Sequence, residues 1–311
     1  MDTGLDIDSV RLNFDAGGMW LLNIFIGLIM FGIALDLRPA DFMRLVRQPK
    51  GPLIGLAAQF LLLPAATFVM VWIVRPHPSI ALGCMIVAAC PGGNLSNFVT
   101  YLAKGNAALS LTMTAVSTAA AIAMTPINVS FWGSLLPETA EIMREVAVDP
   151  LEILAIITLI LGIPLCAGMA FAMRFPNAAE KLHKPFKWGA IVFFLAFVAF
   201  VFTRNWALFL DYIGWIAGIV LLQNLLAFGV GYMLARIGRL EPRDRRAVTI
   251  EVGIQNSALA LVLIFTFFDG LGGMALIAGW WGIWHIIAGL TLAAVWSRVP
   301  LAGGESENES E

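Results

Sequence analysis

Long apolar runs leave this chain little choice of fold. They fall at roughly 17–36, 51–74, 79–103, 107–131, 149–173, 187–203, 207–235, 245–267 and 271–297. A helix needs about 20 apolar residues to cross a bilayer. No water reaches the hydrocarbon to pair the backbone, so only helices and closed barrels span it. These runs do not alternate polar with apolar, so they specify helices. Charged residues make up 13% of the chain and hydrophobic ones 59%, whereas a soluble domain carries about 25% charged residues. The sequence predicts an all-α polytopic membrane protein with nine transmembrane helices.

Two of these runs are interrupted. One holds Glu251-Val252-Gly253-Ile254-Gln255-Asn256 inside the apolar stretch 247–267. A carboxylate at bilayer depth costs roughly 2.5–3.5 kcal/mol on insertion scales, so it marks a site. The other holds Cys90-Pro91-Gly92-Gly93-Asn94-Leu95-Ser96-Asn97 inside 80–102. Pro and Gly break helices, and the freed backbone must find partners or line a cavity. Two broken, polar-centred spans in one membrane protein point to a carrier with its binding site near the bilayer midplane.

Lys and Arg set the orientation. Loops after spans 1, 3, 5 and 7, with the C-terminus, hold 15 of the 19; the opposite side holds 4. The reading is an extracytoplasmic N-terminal tail at 1–16 and a cytoplasmic C-terminus. The tail 301–311 is acidic and polar, and reads as disordered. Four Asp and one Arg precede residue 16, the wrong sign for a signal peptide, so the first span is read as retained. Spans 1–4 also line up with spans 6–9, span 5 standing alone. The broken span is third in each set, the span before it carries an amide (Gln59; Gln223 and Asn224), and a short polar turn with Gly follows. The halves enter the membrane from opposite sides, the pattern of an inverted repeat.

The broken spans define the chemistry. Half-helix N-termini offer unpaired N–H groups to an anion. Carbonyl, amide, hydroxyl and carboxylate oxygens suit a hard cation such as sodium. Span 3 offers Asn94, Ser96 and Asn97, and span 8 offers Glu251, Gln255 and Asn256. On span 4, Ser110, Thr114, Ser117 and Thr118 share one face at helical spacing. The three cysteines, Cys84, Cys90 and Cys166, read as packing residues. The cluster Trp280, Trp281 and Trp284 reads as an interfacial belt.

These residues resemble the bile acid:sodium symporters and their bacterial homologues over about residues 17 to 300. The resemblance is carried by Gln59-Phe60 with Pro64, by Pro91-Gly92-Gly93 with Ser96-Asn97, and by Glu251-Val252-Gly253-Ile254-Gln255-Asn256. It implies the nine-span form, with two crossing broken helices (spans 3 and 8). It also implies a panel at about 17–37 and 149–206 that moves against a core at about 51–136 and 207–300. Two sodium sites are implied. One is formed by Ser96, Asn97, Ser110, Thr114 and Glu251. The other is formed by Gln59, Glu251, Gln255 and the backbone oxygens of Val252 and Ile254. A substrate site with Asn94, Asn256 and His285 is implied as well; Ile286 follows that His where the family commonly has Asn.

The expected function is therefore sodium-coupled import of an organic anion (a bile acid, a pantoate-like acid or a 2-oxo acid) across a bacterial inner membrane. The expected partners are sodium, the anion and the lipid bilayer, with no obligatory protein partner. Scattered basic residues and a net charge of -2 argue against nucleic acid. The nearest rival is a proton-coupled carrier or sodium/proton exchanger of related broken-helix fold, but Glu251 has no acidic neighbour in its span. A channel would need a continuous polar stripe. An enzyme would need a nucleophile–base or metal constellation, and His285 is the only His inside a span.

Overall fold

The computed structural model describes residues 7–8, 24, 27–32, 34–35, 37–145, 150–204 and 206–300. The first predicted span lies mostly, and the acidic tail 301–311 wholly, outside the described residues. All regular elements among the described residues are helices. In chain order they are α1 (Pro39–Arg47), α2 (Lys50–Val74), α3 (Pro78–Ala89), α4 (Leu95–Leu102), α5 (Ala107–Gly133) and α6 (Pro137–Glu145). Then come α7 (Pro150–Ile157, Thr158–Gly162 and Ile163–Arg174 in one rod), α8 (Pro176–Arg204), α9 (Trp206–Ile237), α10 (Pro242–Gly253), α11 (Ser257–Phe267) and α12 (Gly272–Arg298). Five helical stretches are long and apolar enough to cross a membrane: Lys50–Val74, Ala107–Gly133, Leu154–Arg174, Leu210–Ile237 and Gly272–Arg298. With the interrupted pairs, they make this an all-helical, polytopic, integral membrane protein.

Both predicted breaks are present. Residues 90–94 separate α3 from α4, and residues 254–256 separate α10 from α11. The half-helices form the centre of the molecule. Every residue of α3 from Ser79 to Ala89 is buried, and α10 is buried from Arg246 to Gly253. Around them, α9 packs on α10, and α12 packs on α3, α4, α9 and α11, while α5 packs on α3, α4 and α10. Large apolar side chains such as Leu61, Trp72, Ile73, Phe131 and Ile237 stay exposed on the outside, where hydrocarbon is their solvent.

Two helices widen by one residue just before a proline. In α2, Ala58–Leu62 is a π turn, closed by Leu63 N–H to Ala58 O, and Pro64 follows. In α7, Thr158–Gly162 repeats this ahead of Pro164. Proline lacks the donor an α-turn needs and crowds the carbonyl four residues back, and a wider turn accommodates both. Helix α8 begins at Pro176, earlier than the apolar run at 187–203, because its first turns are polar helix that hydropathy does not mark. Two packing expectations are corrected. Trp281 is completely buried, with Trp280 and Trp284 half-buried against the same core, so Trp281 is a packing residue and not part of a belt. Cys84 and Cys90 are buried as expected, but Cys166 is exposed on α7.

Candidate functional site

The two breaks meet backbone to backbone. Gly93 N–H donates to Ile254 O at 2.7 Å, and Asn256 N–H donates to Pro91 O at 2.9 Å. Gly92 and Gln255 form an isolated antiparallel bridge between them. The arrangement has a local two-fold character: donor follows acceptor by two residues on each strand, so each break gives and receives one bond. Gly92 is required here by close approach, because a Cβ would run into the Glu251 carboxylate.

The carbonyls of residues 89–91 and 252–254, at the ends of the two half-helices, all have partners, as burial demands. On the α3 side, Ala89 O accepts from Thr125 Oγ1 at 2.8 Å, Cys90 O from Gln59 Nε2 at 3.4 Å, and Pro91 O from Asn256. On the α10 side, Val252 O accepts from Gln255 Nε2 at 2.7 Å, Gly253 O from Asn224 Nδ2 at 2.8 Å, and Ile254 O from Gly93. The amides Gln59 and Asn224, from the helices preceding each break, therefore hold corresponding carbonyls. Asn224 was visible in the sequence as an intramembrane amide but carried no role there. Thr125 gave no signal beyond lying beside Pro126.

Glu251 sits where α4, α5 and α10 converge, completely buried. Its Oε2 accepts from Ser96 Oγ at 2.5 Å and from Ser110 Oγ at 3.1 Å, and Thr114 Oγ1 stands 2.7 Å from Oε1. Thr114 is also within 3.2 Å of Asn97 Oδ1. All five residues of the first inferred cation set are thus brought together. A sixth oxygen was missed: Thr100 Oγ1 donates to Ser110 Oγ at 3.4 Å from a fully buried position. Its signal was present, because Thr100 follows Ser96 by four residues and shares its face of α4. On α5, Ser117 turns back to Thr114 O, while Thr118 lies buried a residue further on.

The Glu251 carboxylate is satisfied in hydrogen bonds but not in charge. Among the described residues no Lys, Arg or His pairs with it. Hydroxyl dipoles do not cancel a full negative charge in a dry interior.

Of the second inferred set, Gln59, Gln255 and Val252 O are linked by hydrogen bonds, while the Glu251 side chain bonds to none of them among the described residues. Gln59, in the π turn of α2, donates through Nε2 to Gln255 Oε1 at 3.3 Å, and its own Oε1 is buried without a partner among the described residues. Val252 O and Ile254 O lie in the same break, each already accepting one hydrogen bond.

The three substrate candidates are less closely joined. Asn94 and Asn256 occupy the N-terminal cap positions of α4 and α11, both half-buried. Asn256 caps its helix by accepting from Leu259 N–H at 3.0 Å. His285 is buried in α12 beside Trp281, its ring centroid 6.5 Å away. It lies one turn before Gly289, which faces Ile254 of the break. No hydrogen bond joins His285 to Asn94 or Asn256 among the described residues.

The profile of the sodium bile acid symporter family matches residues 23–211. The chain is 31% identical over 292 residues to the uncharacterized sodium-dependent transporter YocS of Bacillus subtilis (strain 168), covering 93% of this chain and 88% of that protein. It is 30% identical over 271 residues to the probable sodium/metabolite cotransporter BASS1, chloroplastic, of Arabidopsis thaliana, covering 86% of this chain and 65% of that protein. It is also 27% identical over 245 residues to the ileal sodium/bile acid cotransporter of Oryctolagus cuniculus, covering 78% and 69%. With two broken helices locked together around a buried carboxylate and a match over most of its length, the chain belongs to the sodium bile acid symporter family, a family of sodium-coupled membrane symporters and not of enzymes.

Proposed function

We propose that this protein imports an organic anion by alternating access, with two sodium ions per anion bound at the helix crossing. One observation carries the reading: a fully buried carboxylate, Glu251, ringed by hydroxyl oxygens and paired with no cation among the described residues. Such a group calls for a mobile cation to neutralise it. Ser96, Asn97, Ser110, Thr114 and Glu251 would take the first sodium. The second would take Gln59, Gln255, the carbonyls of Val252 and Ile254, and a share of Glu251. The unpartnered Gln59 Oε1 supports that second site. Asn94 and Asn256, at half-helix N-termini whose dipoles favour negative charge, would meet the anion, with His285 near it.

In this reading the chain has nine spans in an inverted repeat, the matched hydrogen bonds of the two breaks being its local trace. Spans 1, 5 and 6 form the panel and the remaining six the core. The N-terminus is outside and the C-terminus cytoplasmic, in a bacterial inner membrane. The test is a thermal-shift screen of purified protein with taurocholate, pantoate and pyruvate in sodium and in choline, followed by uptake into proteoliposomes. Stabilisation and uptake should require sodium. Uptake driven by an imposed pH gradient without sodium would overturn the reading.

A further inference from the structure

Helix α1 takes no part in the site described above, yet its two sides differ sharply. The inner side is anchored. Asp41 is buried and its Oδ2 accepts from Arg38 N–H at 2.9 Å, closing the first turn on itself. Phe42 packs against the cluster of Ala34, Leu37, Ala115 and Leu165. The outer side is open. Val46 is 75% exposed and Met43 53%. Beside them Arg44 and Arg47 are exposed, and the exposed Arg38 and Lys50 flank the helix. Met43 and Val46 are three residues apart, as are Arg44 and Arg47, so they form two adjacent stripes, one apolar and one cationic. The only acid of this helix faces inward.

This is the pattern of a helix lying in a membrane interface, with apolar side chains in the acyl border and cations at the headgroups. Its place in the chain agrees. It joins the first predicted span to α2, so its open side is within reach of headgroups and unlike a surface held out in water. We propose that the exposed side of α1 binds anionic phospholipid headgroups, Met43 and Val46 entering the leaflet and Arg44, Arg47 and Lys50 meeting the phosphates. The contact has a route to the transport site. Arg44 Nη1 donates to Ala108 O at 3.3 Å, in the first turn of α5, the helix that carries Ser110 and Thr114. Lipid held on α1 would brace that turn.

The proposal is independent of the transported anion and is tested without one. Purified full-length protein in detergent is titrated with dioctanoyl phosphatidylglycerol, dioctanoyl phosphatidylcholine or inorganic phosphate, following thermal unfolding. Phosphatidylglycerol should raise the midpoint, and the other two should not. In R44Q/R47Q/K50Q the apparent affinity should fall by roughly a hundredfold, since each of the three cations near an anionic surface contributes about fivefold. R44K/R47K, which keeps charge, should respond like the wild type, and Val46→Asp should weaken the response. An equal shift with phosphatidylcholine, an equal shift with inorganic phosphate, or an undiminished response in R44Q/R47Q/K50Q would each overturn the proposal.

Discussion

At the scale of single residues, Glu251 concentrates the argument. Three hydroxyls from two helices point at it, and Gly92 keeps its distance by having no side chain. Removing the charge while keeping the shape separates its two roles. In Glu251→Gln a loaded centre with two sodium ions would carry excess positive charge in a poorly solvated interior, so at least one sodium should bind weakly. Sodium-driven uptake should fall to a small fraction of wild type, and the residual uptake should depend less steeply on sodium. Wild-type rate and steepness in this variant would reduce Glu251 to a structural acid. Most of this residue set was legible before folding, because charge and amide in an apolar run are conspicuous. Thr100 was not singled out, because a lone hydroxyl in a helix more often bonds its own backbone than a neighbour. Trp281 misled for a related reason: an indole suits a wet interface and a dry core equally by composition, and only packing decides.

Among the elements, the half-helices need their outer ends fixed if the breaks are to stay in register. Arg246, in α10, does this on one side. Its guanidinium donates to Ala103 O at 2.6 Å and to Val299 O at 2.9 Å, the C-terminal caps of α4 and α12, and lies 5.7 Å from the centre of the Trp296 ring. Asn106 adds a second tie, donating through Nδ2 to Asp244 Oδ1 at 2.7 Å. Hydrogen bonds from a charged group contribute about 1.5–3 kcal/mol each. Arg246→Met should therefore lower the unfolding midpoint by several degrees and weaken sodium stabilisation, because α4 carries Ser96 and α10 carries Glu251. Arg246→Lys, which can satisfy one carbonyl, should fall between. An unchanged midpoint in Arg246→Met, measured by thermal unfolding with and without sodium, would show that the tie is redundant. The long helices and the two broken ones were readable from hydrophobic runs and from Pro and Gly; the short polar helices α1 and α6, which lie in no apolar run, were not. The π turns were not: Pro64 and Pro164 signal a disturbance, but whether a helix kinks, ends or widens depends on what packs against it.

For the whole molecule, charge bookkeeping predicts an electrical signature. Two sodium ions, Glu251 and a monovalent anion sum to neutral, whereas the empty centre keeps the single negative charge of Glu251. In the proposed two-sodium cycle, each turnover would move one net positive charge inward, favoured by about 2.3 kcal/mol per 100 mV of inside-negative potential. Proteoliposomes should take up a monovalent substrate faster under an inside-negative potassium diffusion potential and show an inward positive current on a supported membrane. An electroneutral cycle would rule out the two-sodium reading. The bonds between Gly93 and Ile254 and between Asn256 and Pro91 run from main chain to main chain, so no side chain supplies a donor or an acceptor to them. In evolutionary terms the joint is a fixed chassis. In the proposed reading, substitutions at Asn94 or His285 would retune the cargo while these main-chain bonds stay, and a lineage could change what it carries around the same mechanical centre.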